Sequence, residues 1–273
     1  MRISELPALL KRLINGTLGV AGLRLVRNAP PAPTAAPYSP ADAALRQMLS
    51  QLGITMVFDV GAHIGEYAGR LRHIGYRGRI ISFEPQAAAF GVLANKAIGD
   101  PLWNAERAAL ANRVGEQELN ISANSVSSSF LRVAAEMVEI ETGLAQTKSE
   151  TVPVTTLDHV QHRLVGPSDR VFLKIDAQGY EPNILLGGDT FLTRCRAAQI
   201  EMALFPSYHE QKSLIEMIGF MHERGFRLVN LERVFWDDRT GYLLEVDGMF
   251  VRADDLPEAL GHEPRGIAAQ LAR

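Results

Sequence analysis

The sequence predicts an α/β fold in which helices cover both faces of a mostly parallel sheet that ends in an antiparallel hairpin. Two patterns lead to this prediction. Strand-like and helix-like segments alternate from Ile54 onward, and two apolar runs near the end flank a polar turn. The alternation is typical of βαβ units, because parallel strands need a crossover that a helix supplies. The chain has 273 residues, 47% of them apolar, so it can bury one large core, with or without an appendage.

The first half of the predicted sheet consists of two strand and helix pairs. "TMVFDV" is apolar and contains β-branched residues, and "EYAGRLRHI" after it has helical character. "GRIISFEP" is again strand-like and is followed by the helical "QAAAFGVLANKA". Each pair therefore forms one strand and the helix that crosses back over the sheet.

The second half of the predicted sheet contains two more buried strands and a hairpin. "RVFLKIDAQGYE" and "AAQIEMALF" supply the strands, separated by a helix that Pro182 opens in its first turn. "FRLVNLERVFWDDRTGYLLEVDGMFVR" has two apolar runs around "DDRTG", a polar segment with turn residues. The sheet is therefore predicted to finish with an antiparallel hairpin.

The first forty residues differ from the rest and predict an appendage. Residues 1–28 contain an amphipathic helix with a basic polar face and an apolar stripe at Leu6, Leu9, Leu10, Leu13 and Ile14. Five prolines in "NAPPAPTAAPYSP" then indicate an extended linker over residues 29–40. We interpret the helix as docked on its own domain, with contact to a membrane surface as the alternative. Residues 41–252 form the predicted main domain, and residues 253–273 a C-terminal tail.

Composition excludes several classes of protein. The formal net charge of -3 argues against a general nucleic-acid-binding protein, which would carry a basic surface. The sequence contains no run of about 18 or more apolar residues, so we expect no membrane-spanning helix. It also lacks a compact apolar segment followed by a cleavage site, so we expect no signal peptide. Cys195 is the single cysteine, which excludes an internal disulfide and favours a packing role. We expect a cytoplasmic protein, at the inner face of the membrane if the N-terminal helix binds lipid.

The segment "VFDVGAHIGEYA" carries the strongest chemical signal. A buried strand ends at Asp59, and Gly61 and Gly65 follow with G-x-x-x-G spacing. At this end of a parallel strand, glycine lets the backbone approach a ligand. A dinucleotide fold requires G-x-G-x-x-G, whereas His63 stands here where a glycine would be needed. Asp59 and this turn suit the aminoacyl end of S-adenosylmethionine, while Glu84, which ends the next strand, suits the ribose of either cofactor.

Six segments closely resemble, in order and spacing, the FkbM family of S-adenosylmethionine-dependent O-methyltransferases. They are "FDVGAHIGEYA", "SFEP", "TTLDHV", "LKIDAQGYEPNILLGG", "IEMALFPSYHEQ" and "TGYLLEVDGMFVR". The resemblance covers Ile54 to Arg252 and implies the Rossmann-like class I methyltransferase fold, with seven strands and the last one antiparallel. The chain departs from similar proteins at Gln178, where they usually have Glu.

The resemblance also implies a set of cofactor-binding residues. It places Asp59, Gly61, Ala62 and Gly65 at the methionine end, Glu84 at the ribose, and Ala109 within "AAL" at the adenine edge. His63 inside the glycine turn and Pro85 in "SFEP" complete the predicted cofactor site.

Asp176 is the first candidate for the methyl-transfer chemistry. It ends a strand where the methyl group should lie, and a carboxylate there can take the proton of an acceptor hydroxyl or orient it. Lys174, on the same strand face, and Glu201, on the next strand, are the other catalytic candidates. The alternative role is a helix cap or turn for Asp176 and a buried ion pair for Lys174 and Glu201.

Weaker candidates surround this set. His63 and His209 can contact cofactor or acceptor, Tyr208 is equally consistent with packing, and the serine-rich residues 124–131 can supply hydroxyl contacts or form a flexible loop. The spacing of His and carboxylate residues predicts no metal site, with acids that are far apart in sequence but converge in space as the alternative.

Three classes of function are compatible with these patterns. The leading one is an O-methyltransferase that uses S-adenosylmethionine and acts on a hydroxyl of a sugar, a glycan or a secondary metabolite. An NAD-dependent oxidoreductase, disfavoured by the missing glycine, and a non-catalytic cofactor-binding module are the alternatives. A nucleic-acid acceptor is not expected, because no basic patch with interleaved aromatic residues occurs outside the N-terminal helix. The sequence predicts neither the individual acceptor nor the oligomeric state.

Overall fold

The structure, a computed structural model, describes residues 38–258 of the chain. The predicted N-terminal helix, most of the predicted linker and the end of the predicted tail lie outside this range. The strands are β1 (Met56–Val60), β2 (Arg79–Phe83), β3 (Trp103–Glu106), β4 (Ala109–Leu110), β5 (Gly115–Ser122), β6 (Gln146–Thr155), β7 (Val171–Ile175), β8 (Cys195–Ala203), β9 (Phe226–Trp236) and β10 (Leu243–Arg252). The helices are α1 (Pro40–Gln51), α2 (Glu66–His73), α3 (Ala87–Ala97), α4 (Ala135–Ile140), α5 (Leu157–Leu164), α6 (Glu181–Leu186), α7 (Asp189–Leu192) and α8 (Leu214–Glu223).

Seven strands form one sheet in the order β3-β2-β1-β7-β8-β10-β9. Neighbouring strands among β3, β2, β1, β7 and β8 are parallel, whereas β10 runs antiparallel to both β8 and β9. The predicted α/β fold, its mostly parallel sheet and its antiparallel hairpin are therefore confirmed. Because β10 lies between β8 and β9, the first strand of the hairpin is an edge strand.

The two central strands are buried along their whole length. β1 ("MVFDV") and β7 ("VFLKI") are apolar except for Asp59 and Lys174. Continuous apolar runs are typical of parallel strands that helices cover on both faces. In the register of the two strands Asp59 lies opposite Lys174, so the two charges enter the core as a pair.

The helix after β7 begins as predicted. α6 has Pro182 in its first turn, where the missing N–H of proline costs no helical hydrogen bond. Cys195 is fully buried at the start of β8, and burial raises the pKa of its thiol. Both observations agree with structural roles for these residues.

A second, smaller sheet was not predicted. Its order is β4-β6-β5, with β5 and β6 antiparallel and the short β4 parallel to β6. β5 and β6 are largely polar on their outer face, so the apolar alternation that predicts core strands is weak in them. Residues 123–145, which connect β5 to β6, carry the serine-rich segment and α4.

Within residues 38–258, no helix combines the length and the apolar content that a bilayer crossing requires.

Candidate active site

Three adjacent strands end together and bring predicted site residues to one edge of the sheet. Val60 of β1 is in register with Phe83 of β2 and with Ile175 of β7. The residues that follow them therefore leave the sheet side by side, and they are Gly61, Glu84 and Asp176. Backbone hydrogen bonds connect the ends of the three strands. The N–H of Gly61 donates to the carbonyl of Phe83 and the N–H of Asp176 to the carbonyl of Val60, both at 3.1 Å.

Gly61 is required by a close approach of two backbone segments. Its φ is +73°, and a Cβ atom on it would lie 1.7 Å from the carbonyl oxygen of Asp176. No side chain fits there, because real Cβ atoms do not come so near another heavy atom. Glycine at this position lets the turn after β1 pass directly over the end of β7.

Gly65 is required for a different reason. Its φ is +86°, and a Cβ atom would lie 2.8 Å from the indole ring of Trp103. Gly65 therefore allows the start of α2 to pack on β3, and it does not lie on the cavity wall described below. The sequence suggests that both glycines approach a ligand closely. Of the two, only Gly61 lines the cavity.

Glu84 is a buried carboxylate held by the backbone. Its side-chain oxygens accept hydrogen bonds from the N–H of His63 and the N–H of Gln86, both at 2.8 Å. Burial raises the pKa of Glu84 to about 7, although these two hydrogen bonds act in the opposite direction. Each oxygen of the ionised group retains a lone pair that can accept a further hydrogen bond.

Asp59 lies behind the cavity. Its carboxylate is fully buried and accepts a hydrogen bond from Ser82 Oγ at 2.9 Å, and Ser82 in turn accepts one from the indole of Trp103. The other oxygen, Oδ1, is buried without a hydrogen bond and lies 3.8 Å from Lys174 Nζ. Burial raises the pKa of Asp59, and the Lys174 ammonium opposes this shift.

Lys174 links the buried acid to the cavity. Its Nζ lies 3.3 Å from Asp176 Oδ2 and 5.5 Å from the centre of the Tyr67 ring. Burial lowers the pKa of Lys174, but the carboxylates of Asp176 and Asp59 outweigh burial and raise it overall. Lys174 is therefore a fixed positive charge between two acids.

Asp176 and Glu201 meet through a third side chain. Gln178 Nε2 donates to Asp176 Oδ1 at 2.9 Å and to Glu201 Oε2 at 2.8 Å. Glu201 is buried, and burial together with the nearby Asp176 carboxylate raises its pKa well above the usual range. The three predicted catalytic residues thus belong to one hydrogen-bonded chain that runs from Lys174 through Asp176 and Gln178 to Glu201.

A cavity of about 510 Å³ opens at this edge of the sheet. Eight of the predicted site residues line it, namely Gly61, Ala62, His63, Glu84, Pro85, Ala109, Lys174 and Asp176. Three others lie behind its wall, namely Asp59, Gly65 and Glu201. The weaker candidate His209 is exposed and does not line the cavity.

The serine-rich loop forms part of the cavity wall and is attached at both ends. At the end near the glycine turn, Ser125 Oγ lies 3.0 Å from His63 Nε2, and Gln86 donates to the carbonyl of Ser125 at 3.0 Å. At the other end, Ser129 Oγ donates to the carbonyl of Gln178 at 2.7 Å. These contacts hold the loop against the glycine turn at one end and against the turn after β7 at the other.

Tyr67 and Asp247 are among the wall residues that sequence reasoning missed. Tyr67 donates from its hydroxyl to Gln199 at 2.7 Å, and Gln199 donates to Asp247 at 2.8 Å. Burial raises the pKa of Asp247 to about 6. An acid inside the apolar run "LLEVDGMFV" was the available signal for Asp247, whereas nothing in the sequence marks Tyr67.

No group of three or more His, Cys, Asp or Glu side chains in residues 38–258 is arranged to hold a metal ion.

The buried acids give a testable pH dependence of stability. Burial raises the pKa of four of them, to about 7 for Glu84, Glu181 and Glu245 and to about 6 for Asp247. Between their unfolded and folded pKa values, the folded state binds more protons than the unfolded state, so stability falls as the pH rises. We expect the melting temperature to decrease from pH 5 to pH 8 in calorimetry. An increase over this range would contradict the assignment of these acids as buried carboxyls.

The chain matches the family model of the FkbM methyltransferase domain over residues 59–228. No curated protein is significantly similar to it in sequence. Its fold resembles that of an rRNA methylase from Streptococcus thermophilus, with 10% identity, a TM-score of 0.44 and coverage of 80% of this chain and 99% of that chain. Precorrin-6y C5,15-methyltransferase from Geobacter metallireducens GS-15 has 12% identity, a TM-score of 0.39 and coverage of 81% and 93%, respectively.

A fibrillarin/Nop5p complex is similar at 13% identity and a TM-score of 0.43, with coverage of 89% of this chain and 82% of that chain. At these identities and TM-scores, the solved structures give no information about the acceptor. The family model, in contrast, spans more than half of the chain and includes Asp59, Glu84 and Asp176. The chain therefore belongs to the FkbM methyltransferase domain family.

Proposed function

We propose that the protein transfers a methyl group from S-adenosylmethionine to a hydroxyl of a sugar, a glycan or a secondary metabolite. Family membership makes it an S-adenosylmethionine-dependent methyltransferase, and the hydroxyl acceptor is the proposed part. One observation carries the proposal. The carboxylate of Asp176 lies on the cavity wall at the end of β7, with 36% of its side chain exposed. A hydroxyl must lose its proton to attack, and this carboxylate is positioned to accept it.

The cavity fits the cofactor in size and chemistry. Its volume of about 510 Å³ falls within the roughly 300–1,000 Å³ of small-molecule sites. In the proposed arrangement, Glu84 accepts hydrogen bonds from the ribose hydroxyls, the turn at Gly61 and Ala62 holds the methionine end, and Ala109 contacts the adenine. When bound, S-adenosylmethionine supplies an electrophilic methyl group on a positively charged sulfur.

The residues of the chain then align the acceptor and remove its proton. Asp176 accepts the proton of the acceptor hydroxyl on a carboxylate oxygen, while Lys174 and Gln178 hold that carboxylate in place. In the proposed complex, the serine-rich loop that lines the cavity keeps water, a competing nucleophile, away from the methyl group. Proton acceptance by a positioned group typically contributes about 10² to 10⁴ in rate.

Family membership replaces the oxidoreductase interpretation, which rested on the general resemblance of the sheet to dinucleotide-binding folds. A non-catalytic module is the contrasting possibility within the family, since it would bind the cofactor and transfer no methyl group.

The acceptor can be identified by following the methyl group itself. The purified chain is incubated with cell extracts and S-adenosylmethionine that carries a labelled methyl group, and labelled products are isolated. We expect mass spectrometry and NMR to place the methyl group on an oxygen of a small molecule or glycan. A methyl group on nitrogen, carbon, sulfur or nucleic acid contradicts the proposal, and cofactor binding without any transfer favours the non-catalytic module.

Glu84→Ala tests the ribose contact. We expect it to weaken S-adenosylmethionine binding by about 1.5–3 kcal/mol, the usual value for hydrogen bonds to a charged group. Calorimetric titration measures this loss. Glu116→Ala, which removes an exposed acid of β5 away from the cavity wall, is the control and should bind normally. Equal affinities in the two variants would remove Glu84 from the cofactor site.

The raised pKa of Glu84 also makes cofactor affinity depend on pH. Below its folded pKa of about 7, Glu84 is protonated and the cofactor must displace that proton to be held by the carboxylate. A single group with this pKa predicts that affinity rises about tenfold from pH 6 to pH 8. Titration calorimetry at both pH values checks this, and Glu84→Gln should show a flatter dependence.

A further inference from the structure

The turn after β7 places one amide between two carboxylates. Gln178 Nε2 lies within hydrogen-bond distance of both Asp176 and Glu201, at 2.9 and 2.8 Å. Gln178 Oε1 accepts a hydrogen bond from the hydroxyl of Tyr208 at 2.9 Å. The two carboxyl groups favour this orientation of the amide, because its NH₂ end has two hydrogens to donate, one to each. The Tyr208 hydroxyl has a single proton, which it shares between Gln178 Oε1 and the carbonyl of Ser127 at 2.8 Å.

The backbone holds this amide where it is. Gln178 has a φ of +54°, which non-glycine residues rarely adopt. Glu181 Oε1 accepts hydrogen bonds from the N–H groups of Ala177 at 2.8 Å and Gly179 at 3.2 Å, and Ser129 donates to the carbonyl of Gln178. Hydrogen bonds on both sides of Gln178 therefore fix an unusual conformation, and the side chain points at the two acids as a consequence.

The two acids sit in a region dominated by negative groups. Lys174 is the cation in contact with Asp176. The other carboxylates that act on Lys174, Asp176 or Glu201 are Asp59, Glu181, Glu245 and Asp247. Two neighbouring carboxylates in such a region repel each other unless a shared proton, a cation or hydrogen-bond donors compensate. Gln178 supplies one donor to each.

We propose that Gln178 is a positioning residue that joins Asp176 to Glu201 through the two N–H groups of its amide, so that the Asp176 carboxylate is held between this amide and Lys174. The effect on methyl transfer rests on the proposed function of Asp176, whereas the bridge itself does not. A carboxylate at position 178 would have no N–H to donate and would bring three carboxylates together. Such a set of oxygen ligands suits a hard divalent cation.

Mn²⁺ titration of the full chain tests this without an acceptor. In Gln178→Glu, we expect one Mn²⁺ per chain, observed by electron paramagnetic resonance, with an affinity at least about tenfold higher than in the wild type because the ligand charge increases. The matched control is Gln211→Glu. Gln211 Oε1 accepts from the N–H groups of Ser207 and Tyr208, so this variant adds the same charge nearby and keeps both contacts.

Adding Asp176→Asn to Gln178→Glu should abolish the Mn²⁺ site. Equal Mn²⁺ affinity in the wild type and Gln178→Glu overturns the proposal, as does equally tight binding by Gln211→Glu or retention of Mn²⁺ by the double variant. None of these outcomes depends on whether the acceptor is a hydroxyl, so they are separable from the failure of the proposed function.

Gln178→Met keeps the proposal testable if Gln178→Glu does not fold. Methionine is similar in size and has no N–H to donate. The loss of stability that it causes should therefore be largest at a pH at which the two acids are ionised. We expect the loss of melting temperature relative to the wild type to be at least about twofold larger at pH 8 than at pH 5. A loss that is the same at both pH values would show a packing role alone and would overturn the proposal.

Discussion

Asp176→Asn is expected to bind S-adenosylmethionine almost as tightly as the wild type, while methyl transfer slows by about 10² to 10⁴. Asparagine has the size of aspartate but cannot take the proton of an acceptor hydroxyl. Asp176 lies where β7 leaves the sheet beside the turn at Gly61, with one oxygen near Lys174 and the other hydrogen-bonded to Gln178. Calorimetry gives the affinity, and single-turnover kinetics with the acceptor found by labelling gives the rate.

Asp238→Asn is the control for this experiment. Asp238 is an exposed acid in the turn between β9 and β10 that accepts a hydrogen bond from Trp236, and asparagine can still accept it. Both affinity and rate should stay at wild-type values. If Asp176→Asn lowers affinity and leaves the rate of the bound complex intact, Asp176 belongs to the cofactor contacts. If neither changes, the proton acceptor is another residue, and His63, which lines the cavity, is the next candidate.

Gly61→Ala is expected to lower the free energy of unfolding by about 3 kcal/mol or more, because it combines a strained backbone with a severe overlap. The added Cβ would lie 1.7 Å from the carbonyl oxygen of Asp176, and the φ of +73° disfavours alanine by itself. Relief of the overlap requires β1 and β7 to separate at their ends, which would also displace Asp176. Chemical denaturation and cofactor titration measure the two consequences.

Gly69→Ala provides the matched control. Gly69 lies in α2, and a Cβ atom added there would meet nothing within 4 Å. Alanine at an exposed helical position should stabilise the protein by about 0.5–1 kcal/mol. Similar stability in the Gly61 and Gly69 variants would show that the ends of β1 and β7 are more adaptable than their close contact indicates.

The core strands of the fold were predictable because their local pattern and their burial agree. "VFLKI" and "TMVFDV" are largely apolar, and such runs between helical segments are typical of central parallel strands. β5 and β6 were not predictable in the same way. Their stability comes from pairing with each other, and their polar outer faces hide the signal that identifies a core strand.

The site was predictable where residues follow strand ends directly. Parallel strands end at a common edge, so the position of Glu84 and Asp176 after their strands indicates that they converge. The positions of Tyr67 and Asp247 on the cavity wall were not predictable. Tyr67 reaches the wall because of the direction of α2, and Asp247 because β10 inserts beside β8. The requirement for Gly65 was visible in the sequence, but its cause, contact with Trp103, was not.

The sequence by itself determined the α/β class, the hairpin, the family and the presence of Asp59, Lys174, Asp176 and Glu201 near one edge of the sheet. All of these depend on local patterns or on the order of segments along the chain. The tertiary structure decided which of these groups faces the cavity and what each one contacts. It buried Asp59 opposite Lys174 and placed Gln178 between Asp176 and Glu201. Such pairings depend on register and backbone torsions across segments far apart in sequence, which no local pattern encodes.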